Sequence, residues 1–209
     1  MTGSGTRSIL AARAPKKSGL VRLGRRLPRS FYARPTGQVA RDLLGKTLVY
    51  DGPAGRRAAR IVEVEAYLGS DDPASHAYRG PTLRTAPMFG PPGRSYVYFV
   101  YGMYHCLNVV TERDDVAGAV LLRGAEPLAG FEDVEPRALA GPGKLARAFG
   151  LTTKHTNLDL VRSSLSIRDA PAIPSSRVVR SARVGLNQHA TTGKPWRLYV
   201  RGSSGVSRP

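Results

Sequence analysis

The chain has 209 residues, of which 41% are hydrophobic and 22% are charged, and these values are typical of one globular domain. They exclude a collagen-like chain, a wholly disordered chain and a disulfide-held scaffold, and the single cysteine, Cys106, favours a reducing compartment. The net charge of +17 indicates a polyanionic partner, because each phosphate that a basic side chain neutralises releases bound counterions.

The first 41 residues contain ten basic side chains and no acidic one. Residues 1–26 also lack a sustained apolar period, which predicts a basic, disordered tail, most simply an arm that contacts DNA. The tail has no apolar segment of a secretory signal, and the longest apolar run, residues 116–122, is too short to cross a membrane. We therefore predict a cytoplasmic, nucleoid-associated protein without membrane contact, while the arginine-rich, acid-free start is also compatible with organellar or nuclear targeting.

The folded part is predicted to begin near Leu27 and to contain more strands than helices. In chain order, the patterns predict a helix (39–44), two strands (47–50 and 58–68), a long loop (69–95), a strand pair (96–110), a strand (119–123), a helix (143–149) and a final strand (197–201). The connections are too short for regular crossovers. We therefore predict one α+β domain over residues 27–209, with a mixed, mostly antiparallel sheet, surrounding helices and a protruding β-hairpin.

Glu63, Glu65 and Tyr67 alternate along the predicted strand 58–68 and therefore share one of its faces. Such alternation usually marks a solvated face. Here, however, two carboxylates lie side by side in a chain poor in acids, and an aromatic ring ends the row. A carboxylate against such a ring is partly desolvated, which moves its pKa toward the working pH and suits a general base.

Four tyrosines lie between residues 96 and 104. In an unbroken strand Tyr98 and Tyr101 would point to opposite sides, so that one ring can face a pocket while the other projects from a turn at Gly102. A projecting ring on a basic protein is a candidate wedge between stacked bases, although an ordinary half-buried strand has the same aromatic alternation. Asn108 lies in an apolar run, where its amide either bonds the backbone or lines a pocket.

Metal and cofactor motifs are missing from the sequence. The four histidines do not have the His-Glu-x-x-His spacing, and one cysteine cannot supply a zinc cluster. No glycine-rich phosphate-binding motif is present either. The sequence therefore predicts a protein that uses no metal and no cofactor.

Several uncommon motifs nevertheless occur together and in a fixed order. They are residues 63–69 (EVEAYLG), 74–76, 88–90, 98–108, 121–123, 141–145 and 183–185. With these motifs, the chain from about Leu27 to Ser207 closely resembles the alkyladenine (3-methyladenine) DNA glycosylase family of monofunctional base-excision enzymes. The resemblance implies an enzyme that flips alkylated or deaminated purines out of double-stranded DNA and hydrolyses the N-glycosidic bond, and we expect a monomer.

The resemblance also implies a role for each matching residue. The expected catalytic groups are Glu65, which would deprotonate the attacking water, and Arg123 and the main-chain carbonyl of Val184, which would hold that water. The expected base pocket consists of Tyr67, His76 and Tyr98, with Asn108 rejecting guanine by a clash with its 2-amino group. The expected contacts inside the duplex are Tyr101, which would fill the gap left by the base, and Met88 beside it, against the opposite strand. Pro81 and Thr85 depart from the family pattern and bear on the lesion range.

Two other functions stay open at this point. A non-catalytic nucleic-acid-binding protein would account for the charge and the tyrosines, but it has no use for Glu65 in a DNA-facing cleft. A carbohydrate hydrolase could use Glu63 and Glu65 as an acid and base pair, because same-face neighbours along a strand lie roughly 6.5–7 Å apart, a separation compatible with inverting enzymes. The net charge and the single tryptophan, Trp196, do not favour a sugar polymer as substrate.

Overall fold

The structure is a computed structural model, and it describes residues 22–132, 134–135, 137–186 and 194–208. Within these ranges the helices are α1 (Arg29–Tyr32), α2 (Thr36–Leu43) and α3 (Pro142–Phe149). The strands are β1 (Thr47–Gly52), β2 (Gly55–Tyr67), β3 (Ser95–Val100), β4 (Tyr104–Val110), β5 (Ala119–Ala129), β6 (Leu165–Arg168), β7 (Val178–Ser181) and β8 (Arg197–Val200). Short 3₁₀ helices lie at Gly69–Asp71, Ala86–Phe89, Thr153–His155 and Ser175–Arg177.

These eight strands form one curled sheet in the order β3-β4-β5-β2-β1-β6, with β8 beside β2 and β7 beside β8. All pairings between the described strands are antiparallel, which confirms the predicted α+β class. Strand β2 is the central strand: it is 13 residues long, and this length lets it pair with β1, β5 and β8. β5 runs along one of its edges, while β1 and then β8 follow the other.

The two longer helices cover the sheet with short apolar faces. In α2, Val39, Ala40 and Leu43 are buried, since positions three and four residues apart share a helix face. In α3, a proline occupies the first turn, and Gly150 ends the helix in the left-handed conformation, with φ of 70°. α2 packs on β2 and β5, and α3 packs on β4 and β5, so that the main core lies between helices and sheet.

The predicted elements are found, with some differences in length. The strand pair over residues 96–110 is the hairpin β3–β4. β5 continues six residues beyond the predicted end at Arg123, because residues 124–129 pair with the first half of β2 although their sequence is no longer a continuous apolar run. The short strands β6 and β7 were not predicted, since four residues are too few for a period.

The predicted tail, residues 1–26, lies mostly outside the described residues. The described part begins at Arg22, and Arg26 already forms a bridge with Arg168. The main-chain N–H of Asp169 donates to the carbonyl of Arg25 at 2.8 Å. In the part of the chain that the structure describes, no helix combines the length and the apolar character needed to cross a bilayer.

Candidate active site

Strand β2 places Glu63, Glu65 and Tyr67 on one face, as the alternation predicted, but that face is not solvated. Both carboxylates are 0% exposed. The cover comes from distant parts of the chain: Arg197 on β8, which pairs with β2, donates to Glu63, and the main-chain N–H groups of Ser207 and Val184 donate to Glu63 and Glu65. The usual meaning of the pattern, a polar surface, therefore does not hold here.

Arg123 reaches these carboxylates through a β-bulge in β5. Glu63 pairs with Gly124 and Val64 with Leu122, which leaves Arg123 between them without a partner. An extra residue of this kind bends the strand and redirects its side chain. Nε of Arg123 donates to Oε1 of Glu63 at 3.1 Å, and Nη1 lies 3.4 Å from Oε1 of Glu65. One buried guanidinium thus bridges both carboxylates.

Glu65 is held from three sides. Besides Arg123, the Tyr67 hydroxyl donates to its Oε2 at 2.9 Å, and the main-chain N–H of Val184 donates to its Oε1 at 2.8 Å. The group of Val184 predicted from the sequence is its carbonyl, and the N–H contact was not predicted. A carboxylate has about four lone-pair positions, and three groups among the described residues contact Glu65, so within this part of the chain one position is left for a further donor such as water.

The pKa values of the two glutamates move in opposite directions. Burial raises the pKa of Glu65, and this effect outweighs the charge of Arg123 and the hydrogen bonds from Val184 and Tyr67. Burial acts on Glu63 too, but the Ser207 main-chain N–H, Arg123 and Arg197 together lower its pKa below the ordinary value. Neighbouring acids with separated pKa values have different roles, and Glu65 is the one suited to take up a proton.

A cavity of about 300 Å³ lies beside Glu65. The side chains predicted from the sequence make up much of its wall: Tyr67, His76, Met88, Tyr98, Tyr101, Asn108, Arg123 and Val184. Glu65 lies directly behind this wall, since all three of its hydrogen-bond and ion-pair partners line the cavity. The volume is at the lower limit of ligand pockets and suits one flat heterocycle.

Aromatic rings form one side of the cavity. His76 meets Tyr98 edge-on with ring centroids 4.6 Å apart, and its Nδ1 lies 3.2 Å from the Tyr96 hydroxyl. Burial, and then the charge of Arg84, lowers the pKa of His76, which favours the neutral ring. Tyr96 also lines the cavity, which was not predicted. It lies two residues before Tyr98 in the same strand, and side chains at that spacing share one face of a strand.

Asn108 satisfies both interpretations of a buried amide at once. Its Nδ2 donates to the main-chain carbonyl of Tyr96 at 3.1 Å and contacts that of Cys106 at 3.5 Å. The same side chain lines the cavity. The backbone contacts therefore fix the orientation of an amide that faces the cavity.

The hairpin β3–β4 projects Tyr101 away from the sheet. Tyr101 and Gly102 have φ of 54° and 67°, and positive φ at both central residues is the requirement of a type I′ turn. The Tyr101 ring is 77% exposed at the mouth of the cavity. The structure thus combines a pocket with an exposed aromatic ring at its entrance.

Comparison with known proteins agrees with this geometry. A family model described as Methylpurine-DNA glycosylase (MPG) matches residues 30–204. The chain belongs to the methylpurine-DNA glycosylase family. It is therefore a DNA glycosylase, an enzyme of DNA repair that binds DNA, and the family expected from the motifs is confirmed. A non-catalytic binding protein is not favoured.

Relatives of this DNA glycosylase carry the name "Putative 3-methyladenine DNA glycosylase". The protein of Anaeromyxobacter dehalogenans strain 2CP-1 is 52% identical over 186 residues, covering 88% of this chain and 86% of the relative. That of Methanocella arvoryzae is 47% identical over 193 residues, with 87% and 96% covered. That of Myxococcus xanthus is 46% identical over 183 residues, with 87% and 93% covered.

Met88 is a predicted site residue of this glycosylase that is buried. It lies in the 3₁₀ helix Ala86–Phe89, is 2% exposed, belongs to a buried cluster with Tyr96 and Val110, and lines the cavity. Its contact with the opposite DNA strand stays a prediction. Met103, two residues after Tyr101 and 66% exposed, is the exposed methionine in the turn of the projecting ring.

A second buried ion pair supports Val184. The Arg183 guanidinium donates to both oxygens of Asp72 at 2.5 and 2.7 Å and to the carbonyl of Ala66 at 3.0 Å. It is stacked between Tyr67 and Trp196, with its Cζ 4.5 and 4.9 Å from the ring centroids. These contacts hold the segment in which the next residue, Val184, donates to Glu65. No local pattern in the sequence indicated this pair.

Glu63 does not reach the cavity of this glycosylase. Its carboxylate accepts four hydrogen bonds, from Arg123, Arg197 and both the hydroxyl and the main-chain N–H of Ser207. Three of these bonds go to Oε1 and one goes to Oε2, and Glu63 is not among the residues that line the cavity. The geometry therefore does not support Glu63 and Glu65 as the acid and base pair of a carbohydrate hydrolase.

Proposed function

We propose that this glycosylase flips alkylated or deaminated purines out of double-stranded DNA and hydrolyses the N-glycosidic bond, as the first step of base excision repair. The observation that carries the proposal is Glu65: a buried carboxylate of raised pKa, with one free lone-pair position, directly behind a purine-sized aromatic cavity. The relatives' name supports 3-methyladenine among the lesions. One chain supplies every group of the site, which supports a monomer acting on DNA.

For a purine that is already cationic, the chemical step needs one base. Ionised Glu65 takes a proton from a water molecule, and the water oxygen forms a bond to the deoxyribose C1′ as the C1′–N bond breaks. The electron pair of that bond goes to the departing purine. A purine alkylated at N3 or N7 is cationic, so this pair neutralises the ring and no acid is required. Arg123 and the main chain of Val184 orient Glu65 and the water.

The cavity selects the base by its rings and its amide. Extruding a base costs a few kcal/mol, least where pairing is damaged. Stacking returns about 1–3 kcal/mol per base, and electron-rich rings such as Tyr67 and Tyr98 add about 0.5–2 kcal/mol for a cation. The backbone-anchored amide of Asn108 disfavours guanine by a clash with its 2-amino group, and 7-methylguanine, which carries the same group, is released because its cationic ring is a much better leaving group.

Release of free base from damaged DNA tests the proposal. Duplexes carrying one 7-methylguanine, hypoxanthine or ethenoadenine are incubated with the protein, and free base is measured by chromatography. We expect base release from at least one of them, with strand cleavage only after alkali treatment, and no release from undamaged duplex. Tight binding to all duplexes without any release would contradict the proposal and leave a binding protein.

Replacing Tyr101 by alanine is expected to weaken binding to a duplex with an abasic-site analogue by about 5- to 150-fold, the equivalent of one lost stacking interaction. The single-turnover rate at saturating enzyme should change much less, because the ring does not contact Glu65. Fluorescence anisotropy measures the binding. Tyr78→Ala, at an exposed tyrosine outside the cavity, is the matched control. Equal affinity of Tyr101→Ala and wild type would count against the wedge.

The rate of base release should fall in acid. Only ionised Glu65 accepts a proton, and burial raises its pKa above the ordinary value of 4.5. We therefore expect the single-turnover rate on 7-methylguanine, a lesion that is already cationic, to rise with pH to a plateau, with a midpoint above 4.5. Single-turnover rates measured from pH 4 to 9 test this. A rate that stays constant down to pH 4 is the contrary result.

A further inference from the structure

The C-terminal segment, residues 203–208, returns to the active site. It crosses β5 where two glycines allow the chains to approach closely. A Cβ atom at Gly124 would collide with the carbonyl of Gly205, and one at Gly205 would collide with the carbonyl of Ala125. Val206 is buried in the core, and Nη2 of Arg137 donates to its carbonyl at 3.0 Å. The segment is therefore fixed in place before it reaches Ser207.

Ser207 contacts both Glu63 and Arg123. Its main-chain N–H donates to Oε2 of Glu63 at 2.6 Å, and its hydroxyl donates to Oε1 of Glu63 at 2.8 Å. The same hydroxyl accepts a hydrogen bond from Nη2 of Arg123 at 3.3 Å. One residue near the end of the described chain thus joins a carboxylate and the arginine that bridges to the catalytic carboxylate.

A second arginine completes this buried group of charges. Nε of Arg197 donates to Oε1 of Glu63 at 2.7 Å, its Nη1 donates to the Ser181 hydroxyl at 3.0 Å, and its Nη2 donates to the carbonyl of Arg208. Two carboxylates and two guanidinium groups therefore balance one another in charge. Because Glu63 does not line the cavity, the structure gives it no role in contact with the substrate.

The contacts of Arg123 define what the arrangement does. Its Nε is held by Glu63 and its Nη2 by Ser207, so that Nη1 is the nitrogen that remains for Glu65. We propose that Glu63 and Ser207 are positioning residues for base excision, and that the C-terminal segment fixes the Arg123 guanidinium so that it faces Glu65. This inference rests on the proposed function of Glu65 as the general base.

The pH dependence of the rate separates positioning from a purely structural role. The groups that face Glu65 or act on its charge are Arg123 from β5, Tyr98 from β3, Cys106 from β4, Arg197 opposite it on β8, the Val184 N–H, and Glu63 and Tyr67 on its own strand. Ser207→Ala removes a neutral hydroxyl and leaves all these charges unchanged. If Arg123 is released and moves away, Glu65 loses a stabilising positive charge, so its pKa rises and the acidic limb moves to higher pH.

The experiment compares pH profiles of single-turnover release of 7-methylguanine. In Ser207→Ala we expect the midpoint to move up by about half a pH unit or more and the plateau to fall about 3- to 30-fold, with unchanged affinity for the abasic-analogue duplex. Ser207→Thr keeps the hydroxyl and should restore the wild-type profile. Ser203→Ala is the matched control, since that serine lies in the same segment but donates to Glu126, outside the site.

Two results would overturn the inference. One is a Ser207→Ala profile identical to wild type, and the other is an equal change in Ser203→Ala, which would indicate a general effect of the segment. Ser207→Gly, which also lacks the hydroxyl, replaces Ser207→Ala if that variant does not fold. Carbon-13 NMR of labelled glutamate carboxylates measures the Glu65 pKa without substrate. It therefore tests the positioning even if wild type releases no base and the proposed function fails.

Discussion

Replacing Glu65 by glutamine is expected to reduce single-turnover base release by about 10²–10⁴-fold, the usual contribution of a general base. Glutamine has nearly the same shape: its amide oxygen can still accept from the Val184 N–H and its NH2 group can donate to the Tyr67 hydroxyl oxygen, but it cannot take a proton from water. Rapid-quench assays on a duplex with 7-methylguanine at saturating enzyme measure the effect. Because Glu65 lies behind the cavity wall, affinity for the abasic-analogue duplex should change only a few-fold.

The control for this experiment is Glu126→Gln, which removes a carboxylate from the same sheet. Glu126 contacts Arg60 and Ser203 and does not line the cavity, so its loss should leave the rate within about twofold of wild type. A Glu65→Gln variant that releases base at nearly the wild-type rate would exclude Glu65 as the base.

Replacing Asp72 by asparagine is expected to lower the free energy of unfolding by about 3–5 kcal/mol, the usual cost of removing one partner of a buried ion pair. Arg183 would remain buried between Tyr67 and Trp196 without a counter-charge, and Asp72 also accepts hydrogen bonds from the main-chain N–H groups of Leu68 and Ala74. For a chain of this length the melting temperature should fall by roughly 6–20 °C. Calorimetry measures both quantities.

Asp71→Asn is the matched control, because Asp71 is the preceding residue, carries the same charge and is exposed. Its loss should change stability by less than about 0.5 kcal/mol, as is usual for surface positions. A loss below about 1 kcal/mol in Asp72→Asn would show that the pair contributes little beyond its desolvation cost.

Local patterns predicted much of the sheet and part of the site. The alternation of Glu63, Glu65 and Tyr67 placed them correctly on one face, and the odd spacing of Tyr98 and Tyr101 correctly separated a pocket ring from a projecting one. Both inferences depend only on the two-residue period of a strand. Family resemblance then identified Arg123 and Val184, whose proximity to Glu65 no local pattern contains.

Features that depend on distant pairing were not predictable from the sequence. The face of Glu63 and Glu65 is buried because groups from distant parts of the chain contact it, among them Arg197, more than 130 residues farther along, and Ser207. Arg123 is aimed by a bulge, which is a property of strand register rather than of composition. The burial of Met88 is of the same kind, since the sequence does not reveal that its 3₁₀ helix packs against the cavity.

The backbone of Tyr101 has a consequence for the encounter with DNA. An L-amino acid at φ of 54° is less stable by roughly 1–2 kcal/mol than in its favoured conformations, and here the turn holds it there, with the N–H of Met103 donating to the carbonyl of Val100. The tip of the hairpin is therefore preorganised, and association does not have to freeze a mobile loop around the ring. A protein that scans long stretches of intact helix can in this way test each step with a rigid probe.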